Sequence, residues 1–332
     1  MLTRIVADRV YDFSHVVGGR QITGMLNLTV GRDDNVFVLL RRPNSSNVTK
    51  LSIGTMPGDE EIQTQFGSTG EGGSDFRWPA HLALDSDENV YVTDEWLHRV
   101  LVFDTDGEFL RSFGQQGDGP GQFNRPSGIT IDGNDDVYVS DALNHRIQKL
   151  DKYGSPLYSF GQRGDGDGEF NAPWGLTTDS DGCVYVADHK NHRIQKFDAD
   201  GEFVFSLGEH GDGEAQFDHP TDVAVDPDGD IYVCDWVNNR VQAYDADRNY
   251  ITTFTGDAQE LSKWQHEYVL SNPDVYKARR RVYSLEPEWR FALPMAVEFD
   301  PVKSRLLVVD PQRWRIQIYN KLDNYDDPQF NI

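Results

Sequence analysis

The chain has 332 residues, of which 38% are hydrophobic, 12% aromatic and 26% charged, so it can bury a sizeable core and is neither disordered nor fibrous. Its 55 acidic against 31 basic side chains leave a formal net charge of −24, a field that repels phosphate backbones and anionic lipid and so disfavours nucleic-acid and membrane partners. No run approaches the roughly 18 apolar residues of a membrane span, and Cys183 and Cys234 make no disulfide framework.

At the N-terminus, MLTRIVADRVYDFSHVV lacks the basic and continuously apolar regions of an export signal, so a cytoplasmic location is expected. Within it IVADRVYDF alternates as a strand does. A faint unit follows over 14–67, with MLNLTVGRDDNVFVLL as its first half. Four stretches then align without gaps, from Phe76, Phe123, Phe170 and Phe217, each starting 47 residues after the last. They open FRWPAHLALD, FNRPSGITID, FNAPWGLTTD and FDHPTDVAVD, and continue through an acidic turn to segments such as YVADHKNHRI. A diverged copy begins at Phe291.

Each unit reads as four antiparallel strands separated by Asp, Gly and Asn turns. Six such units predict an all-β, six-bladed β-propeller in one domain spanning 1–332. The expected blades are 14–67, 76–114, 123–161, 170–208, 217–255 and 291–322. The last blade lacks a convincing fourth strand, and an open ring would expose an unpaired edge. Residues 1–13 are therefore expected to close it.

The string F-x-x-P-x-G-I/L-x-x-D…V-Y-V-x-D-x-x-N-H-R-I-Q-K-F/L-D resembles the NHL repeat over about 76–255. Blade five, HPTDVAVDPDGDIYVCDWVNNRV, is also similar to peptidyl-alpha-hydroxyglycine alpha-amidating lyase, a six-bladed zinc enzyme. That resemblance implies zinc histidines directly after the prolines that open the inner strands. Here those positions hold Ala80, Ser127, Trp174, Thr221 and Met295, so the lyase site is not carried over. The NHL resemblance implies ligand binding at the mouth of the central channel.

Alternation along the inner strands places Asn27, His81, Gly128, Gly175, Asp222 and Ala296 on the channel side, with Glu298 one step deeper. Glycine is usual there, so His81 and Asp222 stand out. Large residues such as Leu82 should pack between blades, while small ones such as Ala83, Thr130, Thr177 and Ala224 should face the channel. The loops after strand two bring Arg41, Arg42, Glu95, Trp96, His189, Lys190 and Trp236 to the same mouth. Aromatic walls with a few convergent polar groups suit a small molecule. The recurring Asp94, Asp141, Asp188, Asp235 and Asp310, with the Arg that follows each, cannot mark a unique site and are expected to pair structurally. His98, His145 and His192 are equivalent and read the same way.

Phe217 to Phe291 is 74 residues rather than 47, so about 27 are inserted, within 256–290. Their helical rhythm, with Ser271 or Asn272 capping a second helix before Pro273, predicts a small helical element. It is expected to roof the mouth and deliver Arg280 to an anionic ligand.

The expected function is that of a small-molecule enzyme of lyase or hydrolase type, or a binder, with His81, His189, Asp222 and Arg41 as candidate catalytic residues. Arg42, Glu95, Trp96, Trp174, Lys190, Trp236 and Arg280 are candidate ligand contacts. His81, His189 and Asp222 together would suit a divalent metal, zinc or iron. No dinucleotide fingerprint points to redox chemistry. The alternative is an NHL-type interaction scaffold without catalysis. Oligomeric state is left open.

Overall fold

A computed structural model describes residues 3–6 and 9–322, with side chains from 9 onward. Residues 1, 2, 7, 8 and 323–332 of the expected domain lie outside the described residues. Six antiparallel sheets surround a central channel. Blades 1 to 5 begin with the inner strands Met25–Val30, Pro79–Leu84, Pro126–Ile131, Leu176–Thr178 and Pro220–Val225, and each adds three strands outward in chain order. Blade 6 holds Ala296–Asp300, Arg305–Asp310 and Arg315–Leu322. Its fourth strand is Arg9–Gly18, which pairs with the third from Val10↔Leu322 to Gly18↔Arg315. Closure by the N-terminal segment is thus as the edge argument requires. The closing strand runs five residues past the expected boundary at 13, through a bulge between Phe13 and His15. Thr3–Val6 adds a further outer strand.

A second device ties blade 6 to blade 5. The Lys321 ammonium lies among Asp226, Asp228 and Asp230, 2.7 Å from Asp228 and 2.9 Å from Asp230, with Asp226 in direct contact. Arg9 adds a bidentate pair with Asp230. In blades 3 and 4 the corresponding turn is neutralised from within, by Lys149 and Lys196. Blade 5 has Ala243 opposite Tyr232, so the cation comes from its neighbour instead.

The core is divided among the interfaces between blades. Leu82 packs with Phe37, Leu39 and Val90, and Leu176 with Tyr138 and Phe197. Thr130 and Thr177 line the channel, but Ala83 and Ala224, expected there too, also sit in clusters between blades. Inner strands meet backbone to backbone: Gly128 N–H donates to Trp174 O at 3.1 Å and Gly175 N–H to Thr221 O at 3.0 Å. A Cβ at either glycine would collide with the next blade. Where glycine is absent, side chains make the link, Asn27 Oδ1 accepting from Leu82 N–H and Asp222 Oδ2 from Val297 N–H.

The insertion folds into α1 (Lys263–Ser271), α2 (Pro273–Arg279) and α3 (Glu286–Trp289). Ser262 and Gln265 form a capping box on α1, and Asn272 caps α2. Trp264 is buried in the cluster joining blades 6 and 1, and Ser262 Oγ bonds Gly18 O. The element is docked against those two blades. No helix among the described residues is long and apolar enough to cross a membrane.

Candidate functional site

The ligand-sized space at the mouth is off the channel axis. A cleft of about 650 Å³ between blades 1 and 2 is lined by Arg41, Arg42, Pro43, Arg77, Trp78 and Trp96. Three guanidinium groups around two indoles make it locally cationic in a chain of net charge −24.

Its walls are set by one buried carboxylate. Asp94 ends the second strand of blade 2 and accepts from the backbone N–H groups of Arg77 (2.6 Å), Trp78 (3.1 Å), Trp96 (3.0 Å) and Leu97 (3.0 Å). Elsewhere the equivalent Asp also takes an arginine Nε, at 2.9 Å for Arg146, Arg193 and Arg315 and 2.7 Å for Arg240. In blade 2 Arg99 keeps the two carbonyl contacts that its counterparts also make, to Gly72 O and Asp75 O, but its buried Nε makes no bond to Asp94. The expected structural pairing thus holds in four blades, and blade 2 departs from it beside the cleft.

Arg42 is fixed by donating to Thr23 O at 2.8 Å and Gln21 O at 2.9 Å. Arg41 lies 4.8 Å from the centre of the Trp78 ring and donates to Pro79 O at 3.4 Å. Burial lowers its pKa, opposed by Glu95 and Asp94. Arg41 also borders a small pit with Leu26, Ala80, His81, Glu95, Trp174 and Met295. Burial raises Glu95 above the usual carboxylate range, while Arg41 and Arg125 pull it down.

Below the pit the channel is pinched. His81 Nε2 and Asp222 Oδ1, from opposite blades, are 3.9 Å apart, and both residues are buried. The cavity beneath, also lined by Asn27, Thr29, Thr130, Thr177 and Glu298, is only about 60 Å³. Burial pushes Asp222 well up and Glu298 up to about 8, and drives His81 down to about 3.

His189 belongs to a different part of the rim. Its ring packs 4.9 Å from Trp174 and 6.3 Å from Trp236, and Nδ1 is 3.1 Å from Pro220 O. Burial lowers it to about 4. The expected metal set of His81, His189 and Asp222 is therefore not assembled, because His189 is held in this aromatic stack while His81 and Asp222 face the channel. Among the described residues, groups with ligand atoms within 4.8 Å of one another are His192, His210 and Asp218, and Asp226, Asp228 and Asp230. The second already holds the Lys321 ammonium.

The expected ligand contacts thus divide. Arg41, Arg42, Glu95 and Trp96 converge on blades 1 and 2, and Trp174 borders the pit. Trp236 stands with His189, Lys190 is exposed on blade 4, and Arg280 is exposed on the insertion beside Tyr276. The insertion supplies no lining to the cleft, the pit or the channel, so the expected roof is not built. Its linker instead borders a side cleft of about 430 Å³ with Phe13, His15 and Met56. Arg77 and Trp78 were not expected. The signal was present in the repeat, since the pair between Phe and Pro reads Arg-Trp here but Asn-Arg, Asn-Ala and Asp-His in the next three blades.

A family model described as a 6-bladed beta-propeller matches residues 80–170, and one for the NHL repeat matches 170–197 and 217–244. No curated protein matches the chain. Among solved structures, a catalytically inactive virginiamycin B lyase from Staphylococcus aureus with quinupristin is 13% identical, at a TM-score of 0.58 over 94% of this chain and 100% of that one. A streptogramin B lyase is 13% identical, with a TM-score of 0.59 over 94% and 98%. A Bacteroides thetaiotaomicron protein of unknown function is 17% identical, with a TM-score of 0.60 over 94% and 76%. At such identities the likeness is one of fold, and it agrees with the repeats and the six sheets: the chain is a six-bladed β-propeller that carries NHL repeats at 170–197 and 217–244.

Proposed function

We propose that the chain binds a small anionic molecule with an apolar or aromatic body in the cleft between blades 1 and 2, and turns it over by proton transfer of the lyase or hydrolase kind. The observation that carries this is the cleft itself, three arginines around two indoles in a strongly acidic protein. Guanidinium groups recognise carboxylate or phosphate, and exposed indole faces supply apolar contact. Glu95 is the proton acceptor in this reading: it lies in the pit that shares Arg41 with the cleft, and burial raises its basicity against the pull of Arg41 and Arg125. His81 is bonded into the channel wall and is no longer needed as the base. The lyases among the structural neighbours support the fold's capacity for such chemistry and assign no residue here.

The scaffold reading draws on the same exposed indoles, Trp78 at 47% and Trp96 at 52%. A screen of aromatic carboxylates and phosphates by tryptophan quenching separates the two. Saturable binding that weakens at least tenfold in Arg77→Ala and Trp96→Ala, and is unchanged in Arg280→Ala, supports the small-molecule site. Binding indifferent to both cleft variants refutes it. With a turned-over ligand in hand, Glu95→Gln should depress kcat far more than it raises KM.

A further inference from the structure

The second feature of the rim lies where blade 4 passes into blade 5, and the chain supplies its own comparison. Residues 47 apart occupy the same place in successive junctions. His192 corresponds to His98 and His145, and all three do the same work: Nδ1 accepts the backbone N–H of Arg125, Ala172 or His219, at 3.0, 3.2 and 3.2 Å. Those three donors share a left-handed backbone, with φ of 55°, 54° and 57°. The backbone frame is therefore the same, and differences lie in the side chains set upon it.

Three of those side chains change together at this junction. His210 stands where the others have Gln116 and Arg163. Asp218 replaces Asn124 and Asn171, and His219 replaces Arg125 and Ala172. None of these changes is needed by the scaffold, because Asn124 and Asn171 make the same backbone bond to their blade's Asp that Asp218 makes to Asp235. Their effect is to converge on one carboxylate oxygen. Asp218 Oδ1 lies 3.6 Å from His192 Nδ1, 3.8 Å from His210 Nε2 and 2.6 Å from His219 Nδ1. The His192 and His210 rings are 4.4 Å apart.

We propose that His192, His210 and Asp218 form a binding site for a divalent transition metal, for which zinc is the best match. Two imidazole nitrogens and a carboxylate oxygen are a common catalytic-type zinc donor set, leaving a position for water. Zinc–ligand bonds of about 2.0–2.1 Å at tetrahedral angles separate neighbouring ligand atoms by about 3.3 Å, close to the 3.6 and 3.8 Å that already separate Asp218 from the two imidazoles, and all three ligand atoms lie within 4.8 Å of one another. His219 acts behind the ion, its Nδ1–H donating to Asp218 and holding the carboxylate in place. His192 would exchange the His219 amide for the ion. His210 is largely exposed, so the ion enters from solvent. This site is separate from the cleft, and neither proposal depends on the other.

The test is a zinc titration of untagged, metal-stripped full chain against a chromophoric chelator, with thermal melts as the folding control. One zinc per chain is expected, weakened at least tenfold in His210→Gln, Asp218→Asn and His192→Asn. Each substitution restores a residue the chain itself uses: Gln116, Asn124 and Asn239, whose Oδ1 accepts Leu293 N–H as His192 accepts His219 N–H. The variants should therefore fold. Absence of saturable uptake, or uptake that folded variants retain at full affinity, overturns the proposal.

Discussion

His81 Nε2 and Asp222 Oδ1 face one another across the channel at 3.9 Å, the imidazole from blade 2 and the carboxyl from blade 5. The neighbouring bonds fix the state of the histidine. Asn27 Oδ1 accepts Leu82 N–H, so the amide nitrogen of Asn27 is the atom turned to His81 Nε2, 3.2 Å away. An amide N–H must donate there, so Nε2 accepts and the ring is neutral with its proton on Nδ1. Burial without a compensating charge favours the same form.

His81 should therefore fail to titrate by ring NMR between pH 8 and 5, while an unfolded chain protonates near 6.5. With the folded pKa at about 3, stability from this group is complete above pH 6.5 and is lost as pH falls toward 3. His81→Ala removes a buried, hydrogen-bonded ring and should cost about 2–4 kcal/mol while leaving cleft binding intact. A titration midpoint near 6.5 in the folded protein would contradict the assigned tautomer.

Glu298 carries the opposite sign. Its folded pKa is about 8 against an ordinary 4.5, so the stability associated with its neutral form is present below 4.5 and lost as pH rises through 8. Glu298→Gln should raise the melting temperature more at pH 8.5 than at pH 5. Because the carboxyl lines the channel and is only half-buried, the gain is on the order of 1–2 kcal/mol rather than the full shift. An equal effect at both pH values would place the carboxyl in an ordinary environment.

The fold was legible because periodicity repeats: a 47-residue unit with alternating strands admits few closures, although of IVADRVYDF only Arg9–Phe13 lies in the closing strand, Ile5 and Val6 belonging to the outer strand beside it. Pairing of the recurring Asp and Arg followed from the same repetition. The site was only half legible. Arg41, Arg42, Glu95 and Trp96 were found by asking which loops depart from the repeat, but that test does not say which departures meet. Distance around the ring is a tertiary fact, and it separates His189 and Trp236 from the arginines. Likewise the insertion point lies on the mouth side, yet Trp264 takes the chain into the cluster between blades 6 and 1. Burying that indole outweighs any preference for a position over the channel.

Asp94→Asn tests the origin of the cleft. The carboxylate is fully buried and accepts four backbone N–H groups, two of them from the indole-bearing residues Trp78 and Trp96. An amide turns one acceptor into a donor facing those groups, so a cost of about 2–4 kcal/mol is expected, together with loss of ligand binding at the cleft. Asp141→Asn, in blade 3, should cost stability yet spare binding. Equal binding losses from both would make the effect global.

Lys321→Met tests the latch between blades 5 and 6. Removing the ammonium leaves Asp226, Asp228 and Asp230 facing one another, opposed among the described residues by Arg9, and breaking a buried pair from one side costs about 3–5 kcal/mol. The lysine hydrogen bond and charge hold Asp228 below its ordinary range, so that contribution is present above pH 3.8 and lost as pH falls through the lowered value. The variant's deficit should therefore be large at pH 7 and shrink in acid, as Asp228 loses the charge that the lysine stabilises. Melting curves of both proteins from pH 7 to pH 3 read this directly. A deficit that stays constant over that range would assign the loss to packing of the lysine stem rather than to its charge.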